Sequence, residues 1–357
     1  MKLMIAAGGT GGHIYPGIAV AKELLQRDPS SDVLFVGTVR GLESRIVPDN
    51  GFQLSLIHSA GLKSVGFMGL IKGLTVLPQS FIEARRLLRE FRPTVVVGAG
   101  GYVSGPVLLM ACVMGIPTLV MDSNALPGFT NRQLARFVDR AALTFEEALP
   151  YFGKKGTVTG NPVRKEFFEI PPKIRDATMS ILIFGGSQGA RAINNAVVAA
   201  IPALGALRNE LRIVHQTGEA DFENVRKAYA DQNWESTDVR PYISDIVREF
   251  ANADLIICRA GATTCAELTA AGKASIMIPL PTAADDHQRK NAEALQRVGA
   301  SRMILQADLT AERLAAEITD LAYSPEKLSD MERAAKALAR KDAAKATVDI
   351  IEDLARD

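Results

Sequence analysis

The chain of 357 residues has almost no net charge: 41 basic and 40 acidic side chains leave +1. That balance argues against a nucleic-acid binder relying on a large positive field. Cysteine is scarce. Cys112, Cys258 and Cys265 show no CxxC spacing and sit in apolar or helical stretches, so they read as reduced core thiols in a reducing compartment. The histidines, His13, His58, His215 and His287, lack HxxxH or HExxH spacing, which argues against a structural metal site. No glycine loop matches GxxxxGK[ST], which disfavours a P-loop nucleotidase, and none matches GxGxxG with a ribose-binding acid downstream, so dinucleotide binding is weakly supported. No plausible loop carries a DxD pair; Asp285 and Asp286 are adjacent. The apolar start, 1–7, is too short for the core of a signal peptide. Residues 93–121 are uncharged over a length that could span a bilayer, but Gly98, Gly100, Gly101, Gly105, Pro106, Gly115 and Pro117 cut them into strand, turn, helix and strand.

Apolar residues make up 47% of the chain, ample for buried cores, and the length fits about two domains. Residues 2–7 read as a buried strand, Gly8-Gly9-Thr10-Gly11-Gly12-His13 as a glycine turn, and 14–27 as a helix with apolar residues at helical spacing. Strand, glycines and helix together aim free backbone N–H groups at an anion; a tight turn without a ligand is the plainer alternative. Strands are expected at 33–36, 54–57, 95–97 and 118–121, and helices at 81–91 and 106–114. The glycine theme recurs at 98–106, and again at Gly185-Gly186-Ser187-Gln188-Gly189 between a strand at 180–184 and a helix at 191–203. Pro171, Pro172 and a polar stretch to Thr178 mark a boundary region. Two such openings predict two similar doubly wound α/β domains facing one cleft. The second half continues with strands at 212–216, 255–258 and 275–278 and helices at 219–230, 262–271 and 285–298. A charged helix over 331–354 could pack back on the first domain.

Arg259 to Glu267 is a glycine turn running into a helix with two hydroxyls and then a carboxylate. A carboxylate there can take both ribose hydroxyls; the alternative is an exposed acid favoured by the helix N-terminus. Asp285-Asp286-His287-Gln288 is suited to reading sugar hydroxyls, or is a solvated acidic helix start.

These motifs, GGTGGHIYP, GAGGYVSGP, GNPVR, GGSQGA and the AGATTCAE and DDHQRKNA pair, follow one another in an order that resembles the MurG family of glycosyltransferases over nearly the whole chain. The resemblance implies a GT-B fold of two Rossmann-like domains separated by a cleft. Residues 1–163 would form an acceptor and membrane-associated domain, with a helix at about 341–357 packed back on it, and 164–340 a UDP-GlcNAc-binding domain. The implied reaction is inverting transfer of GlcNAc from UDP-GlcNAc to the C4 hydroxyl of MurNAc in lipid I, giving lipid II, with no metal or other cofactor. Glu267 would hold the ribose, Ile243 the uracil through its backbone, and Ser187 and Gln188 the donor phosphates. Arg164 would lie near the diphosphate, and His287 and Gln288 at the transferred sugar. Thr10, Gly11, Gly12, His13 and Asn124 would also contact UDP-GlcNAc, lining the cleft from the acceptor side. Gly9, Gly12, Gly100, Gly101, Tyr102 and Ser104 would hold the lipid I diphosphate.

His13 is a candidate base for the acceptor hydroxyl because imidazole titrates near neutral pH, and Asp122 is its rival. The chain departs from the family in two places. Met121-Asp122-Ser123-Asn124 stands where many members have His-Glu-x-Asn, and His287-Gln288 where some have two glutamines. A lipid acceptor implies a membrane contact. Residues 62–74, with Phe67, Leu70, Ile71 and Lys72, suit a patch dipping into anionic headgroups; a buried loop and helix is the alternative. The expected location is peripheral, on the cytoplasmic face of the cell membrane, with cell-wall synthesis and division proteins as partners and no nucleic acid. A diacylglycerol glycosyltransferase, a UDP-sugar epimerase and a non-catalytic nucleotide-sugar-binding protein are the other readings.

Overall fold

The computed structural model describes residues 1–9, 11–38, 41–59, 67–186, 189–234 and 237–356, and of 67–76 the helical backbone only. Two compact units result: residues 1–163 with 340–357, and residues 164–339.

Unit 1 alternates strands and helices: β1 (Lys2–Ala7), α1 (Gly11–Arg27), β2 (Asp32–Gly37), α2 (Glu43–Asp49), β3 (Gln53–Leu56), α3 (Phe67–Phe91), β4 (Val95–Gly100), α4 (Ser104–Val113), β5 (Thr118–Asp122), α5 (Phe129–Leu134), β6 (Arg140–Leu143), α6 (Leu149–Phe152) and β7 (Gly156–Val158). Its sheet is parallel, in the order β3-β2-β1-β4-β5-β6-β7. Successive side chains of a strand point to opposite faces, and here both faces are covered. Leu3, Ile5, Val95 and Val97 join one core layer with Ile18 and Leu24 of α1. Met4, Ala6 and Val96 join the other with Leu88 of α3 and Leu108 of α4. That double burial explains the uncharged run at 93–121, which is β4, α4 and β5. Among the described residues no helix is long and apolar enough to cross a membrane.

Unit 2 repeats the plan: β8 (Met179–Phe184), α7 (Arg191–Ala200), β9 (Leu211–Gln216), α8 (Phe222–Asp231), β10 (Asp238–Arg240), α9 (Ile246–Asn252), β11 (Leu255–Cys258), α10 (Ala262–Ala271), β12 (Ala274–Met277), α11 (His287–Arg297), β13 (Ser301–Met303), α12 (Ala311–Ala322) and α13 (Pro325–Ala337). The sheet order is β10-β9-β8-β11-β12-β13, again parallel. The chain then returns to unit 1 as α14 (Ala343–Arg356). Val348, Ile351 and Leu354 of α14 enter the core beside Leu24, and Arg27 of α1 reaches Asp349 at 2.6 Å and Glu352 at 3.4 Å.

Three expected elements differ. The helix read as 81–91 begins at Phe67, so the apolar residues from 67 on are its first turns and not a loop. The helix read as 285–298 begins at His287, because Asp285 and Asp286 take φ of +55° and +54°. The helix read as 331–354 is two, α13 and α14, with 338–342 outside both.

Candidate active site

In unit 1, β1 and β4 are neighbours from which the chain runs to opposite sides of the sheet, so their carboxyl ends flank a switch point of the kind where open α/β sheets bind ligands. The loop after β1 and the loop after β4 interlock there. The Gly8 N–H donates to the Gly100 carbonyl at 3.3 Å. Gly100 and Gly101 take φ of +119° and +82°, and a Cβ would drive Gly100 into the His13 ring and Gly101 into the Gly8 carbonyl. Glycine is therefore required at both, and the His13 imidazole, carried by the first turn of α1, rests over Gly100. Gly11, Gly12 and His13 open α1, so their N–H groups lie at its positive end.

Several residues expected to face a ligand are committed to the fold. The Ser104 hydroxyl is buried, accepts from the Gly100 N–H at 3.0 Å and lies 2.8 Å from the carbonyls of Ala6 and Gly100; it ties β1 to β4. The Gly9 N–H donates to Glu43 Oε2 at 2.9 Å. Asp122 is 4% exposed; its Oδ1 accepts from the Asn124 N–H at 3.0 Å, and its Oδ2 from the Gly128 N–H at 3.0 Å and Asn131 Nδ2 at 2.8 Å. A carboxylate so used builds the 122–131 loop, which argues against its role as rival base. Tyr102 is exposed, and Asn124 stands at the end of β5. Thr10, Ser187 and Gln188, with the side chains of Phe67, Leu70, Ile71 and Lys72, lie outside the described residues.

In unit 2 the equivalent switch point lies where β8 meets β11. A cavity of about 690 Å³ opens there, lined by Gly185, Gly186 and Gly189 after β8, Arg191 and Asn195 of α7, and Arg259 and Gly261 after β11, with Thr264, Gln288 and Gln306. Among the described residues the Arg259 guanidinium donates to neutral acceptors, the carbonyls of Ile278 and Pro279 and Gln306 Oε1, and burial lowers its pKa. Arg191 stands at the start of α7, 3.4 Å from Asp221. Two cations and the positive end of α7 thus face one cavity, a setting for a diphosphate.

Glu267 sits on α10, its side chain 17% exposed, and burial pushes its carboxyl up to about 7; the Arg164 guanidinium, 3.8 Å away, pulls the other way. Arg164 is itself stacked on the Phe167 ring at 5.0 Å. Gln288 Oε1 accepts from the Leu280 N–H at 3.0 Å, leaving its amide N–H groups to donate. His287 Nδ1 donates to the Ala284 carbonyl at 2.7 Å. Ile243 is buried and its N–H is taken by Gln216 Oε1 at 2.8 Å, so a uracil contact through that amide must displace a side chain.

Sequence reasoning missed Gln216, Arg191 and Glu43, and assigned no role to Arg259. Gln216 donates Nε2 to the Gly186 carbonyl at 2.8 Å while accepting from Ile243, so it joins the glycine loop to the 241–243 segment. Only its place at the end of an apolar strand could have flagged it. Among the described residues no group of three or more His, Cys, Asp or Glu could hold a metal ion.

Two doubly wound parallel units, the second with a cationic cavity at its switch point, have the architecture of a GT-B protein, and the models for the glycosyltransferase family 28 N-terminal and C-terminal domains, which match residues 3–143 and 180–347, make it a glycosyltransferase. The chain is 48% identical to the UDP-N-acetylglucosamine–N-acetylmuramyl-(pentapeptide) pyrophosphoryl-undecaprenol N-acetylglucosamine transferase of Myxococcus xanthus, covering 99% of this chain and 93% of that one. It is 49% identical to the protein of that name from Citrifermentans bemidjiense, covering 98% of each. The crystal structure of Acinetobacter baumannii MurG superimposes with a TM-score of 0.82 at 34% identity over 99% of both chains. The chain belongs to the MurG family.

Proposed function

We propose that this chain transfers GlcNAc from UDP-GlcNAc to the C4 hydroxyl of the MurNAc residue of lipid I, with inversion, giving lipid II for peptidoglycan synthesis. The observation that carries the reading is near-half identity, over almost the whole length, to transferases named for this reaction. That match disfavours the epimerase, the diacylglycerol glycosyltransferase and the non-catalytic binding protein.

Unit 2 serves as the donor side. The departing UDP gains negative charge, and the start of α7, Arg191 and Arg259 supply an oriented positive field beside Gly185 and Gly186. Arg164 stands near the diphosphate, and Ser187 and Gln188 complete the phosphate contacts. Glu267 as carboxylate takes the two ribose hydroxyls, Ile243 meets the uracil, and Gln288 and His287 read the sugar. Unit 1 serves as the acceptor side. The amides opening α1 and the Gly100-Gly101-Tyr102 turn hold the lipid I diphosphate, Asn124 adds a polar contact, and His13 accepts the proton of the attacking hydroxyl.

The membrane contact falls on α3 and its neighbour α4. Ile82 and Val113 are 69% and 75% exposed, and Arg85, Arg86 and Arg89 are exposed along the same helix as Ile82. Apolar tips among arginines suit the anionic inner face of a cell membrane. Together with Phe67, Leu70 and Ile71 they make the protein peripheral on the cytoplasmic side, where cell-wall synthesis and division proteins are available as partners. Serine at Phe67, Leu70, Ile71 and Ile82 together should abolish flotation with anionic liposomes; undiminished flotation removes the patch.

The deciding experiment is transfer of labelled GlcNAc from UDP-GlcNAc to a short-chain lipid I analogue with EDTA present, against UDP-glucose, UDP-GalNAc and a diacylglycerol acceptor. Product from UDP-GlcNAc and the lipid I analogue alone is expected. Failure of transfer with UDP binding intact would return the acceptor to the rival lipids, and loss of product only with EDTA would show a metal requirement.

A further inference from the structure

Glu43 is fully buried, and among the described residues no cation pairs with it. Its carboxylate is instead filled by donors from two loops. Oε2 accepts from the Gly9 N–H at 2.9 Å; Oε1 accepts from the Thr38 N–H at 2.7 Å and the Thr38 hydroxyl at 2.8 Å. Gly8, Gly37 and Gly41 surround the carboxylate so closely that a Cβ on any of them would collide with the Glu43 side chain. The Gly9 carbonyl in turn accepts from the Leu42 N–H at 3.4 Å. Both polar groups of Gly9 are therefore gripped from the start of α2, just before α1 begins at Gly11 and carries His13 in its first turn.

Burying a carboxylate costs desolvation, and charge-assisted bonds to backbone N–H groups give it a fixed geometry in return. We propose that Glu43 is a positioning residue for the acceptor step: its carboxylate fixes the Gly8-Gly9 turn, and through it the aim of the α1 N-terminus and of the His13 ring over Gly100. This rests on reading unit 1 as the acceptor side and His13 as the base. Glu43 touches no substrate and acts through the loop.

The test is Glu43→Gln in the full-length protein. Glutamine offers one acceptor and one NH2 group, so either the Gly9 or the Thr38 N–H must face another donor and the turn must shift. Misplacement on the scale of an ångström can cost about 100-fold, so kcat with the lipid I analogue should fall about 10- to 100-fold. The KM for UDP-GlcNAc and the Kd for UDP, which belong to unit 2, should stay within about twofold, a split that general loss of structure would not produce. Thr38→Val, which removes only the hydroxyl donor, should lose about 3- to 10-fold, and Thr38→Ser should restore turnover; this pair decides if Glu43→Gln does not fold. Turnover of Glu43→Gln within twofold of the unaltered chain, a parallel loss of UDP affinity, or full activity of Thr38→Val overturns the proposal. An unaltered chain that makes no product from the lipid I analogue overturns instead the reading of function on which it rests.

Discussion

At the end of β1 a glycine loop is fastened by a carboxylate; at the end of β8 its counterpart is fastened by a carboxamide. Glu43 only accepts, so it consumes N–H groups, those of Gly9 and Thr38. Gln216 donates as well as accepts, and so bridges a carbonyl of the glycine loop to the Ile243 amide. The first clamp places a negative charge beneath its loop. The second leaves its loop neutral, facing a cavity with two guanidiniums. The same strand-glycine-helix plan thus carries a histidine over its loop in one unit and lines a cavity with two guanidiniums in the other, the cavity we propose for the leaving diphosphate.

The sharpest way to break this division is His13→Ala. Loss of a positioned base costs typically about 100- to 10,000-fold, so kcat should fall by that order while UDP affinity, measured by calorimetry, stays unchanged. A matching loss of UDP binding would mean that the two loops do not have separate duties. Next in size is Glu267→Gln. Hydrogen bonds to a charged acceptor are among the strong ones, and UDP-GlcNAc affinity at pH 8 should drop about 10- to 100-fold. With the carboxyl at about 7, affinity of the unaltered chain should rise from pH 6 to pH 8, and the glutamine variant should be flat. The stability effect has the opposite sense. A carboxyl pKa raised by folding favours the native state below about 4.5 and loses that advantage as pH rises through about 7, so unliganded Glu267→Gln should melt higher at pH 8 by about 2–4 °C.

A smaller effect is expected from Gln216→Leu, which strands the Ile243 N–H and leaves the Gly186 carbonyl with the Gly189 N–H. UDP affinity should weaken about 5- to 10-fold, with kcat at saturating donor nearly intact. Equal loss from an Asn substitution would show that reach, not chemistry, matters there. Smallest is His215→Gln. The ring is buried against Asn194 Oδ1 at 3.1 Å and the Tyr229 hydroxyl at 3.3 Å, and burial lowers its pKa to about 3. The unfolded chain gains a proton near 6.5 that the native state refuses, so stability falls as pH drops from about 6.5 toward 3. The variant should show a shallower decline in Tm between pH 7.5 and pH 5, by a few degrees.

Much of the architecture was legible because its signals are local. A parallel sheet covered on both faces makes every strand an apolar run, and glycine at the strand ends marks where the backbone must turn left-handed or approach another loop. The ends of helices were less legible. The break between α13 and α14 and the start of α11 at His287 depend on backbone conformations that composition does not encode. The site was readable as a set of loops and unreadable as a set of roles. Ser104 and Asp122 carry the right chemistry for a ligand, yet spend it on neighbouring backbone and side-chain groups.

By itself the sequence determined the two doubly wound units, their glycine loops and the family, since strand pattern and motif order are properties of the chain read in one direction. Tertiary structure alone decided which polar groups remain available. Glu43 finds Gly9, and Gln216 finds Gly186 and Ile243, only after separate strands are brought side by side, whereas Thr38 is a local partner of Glu43. A buried donor or acceptor must be satisfied by whatever lies within about 3 Å, and that neighbourhood exists only in the folded sheet.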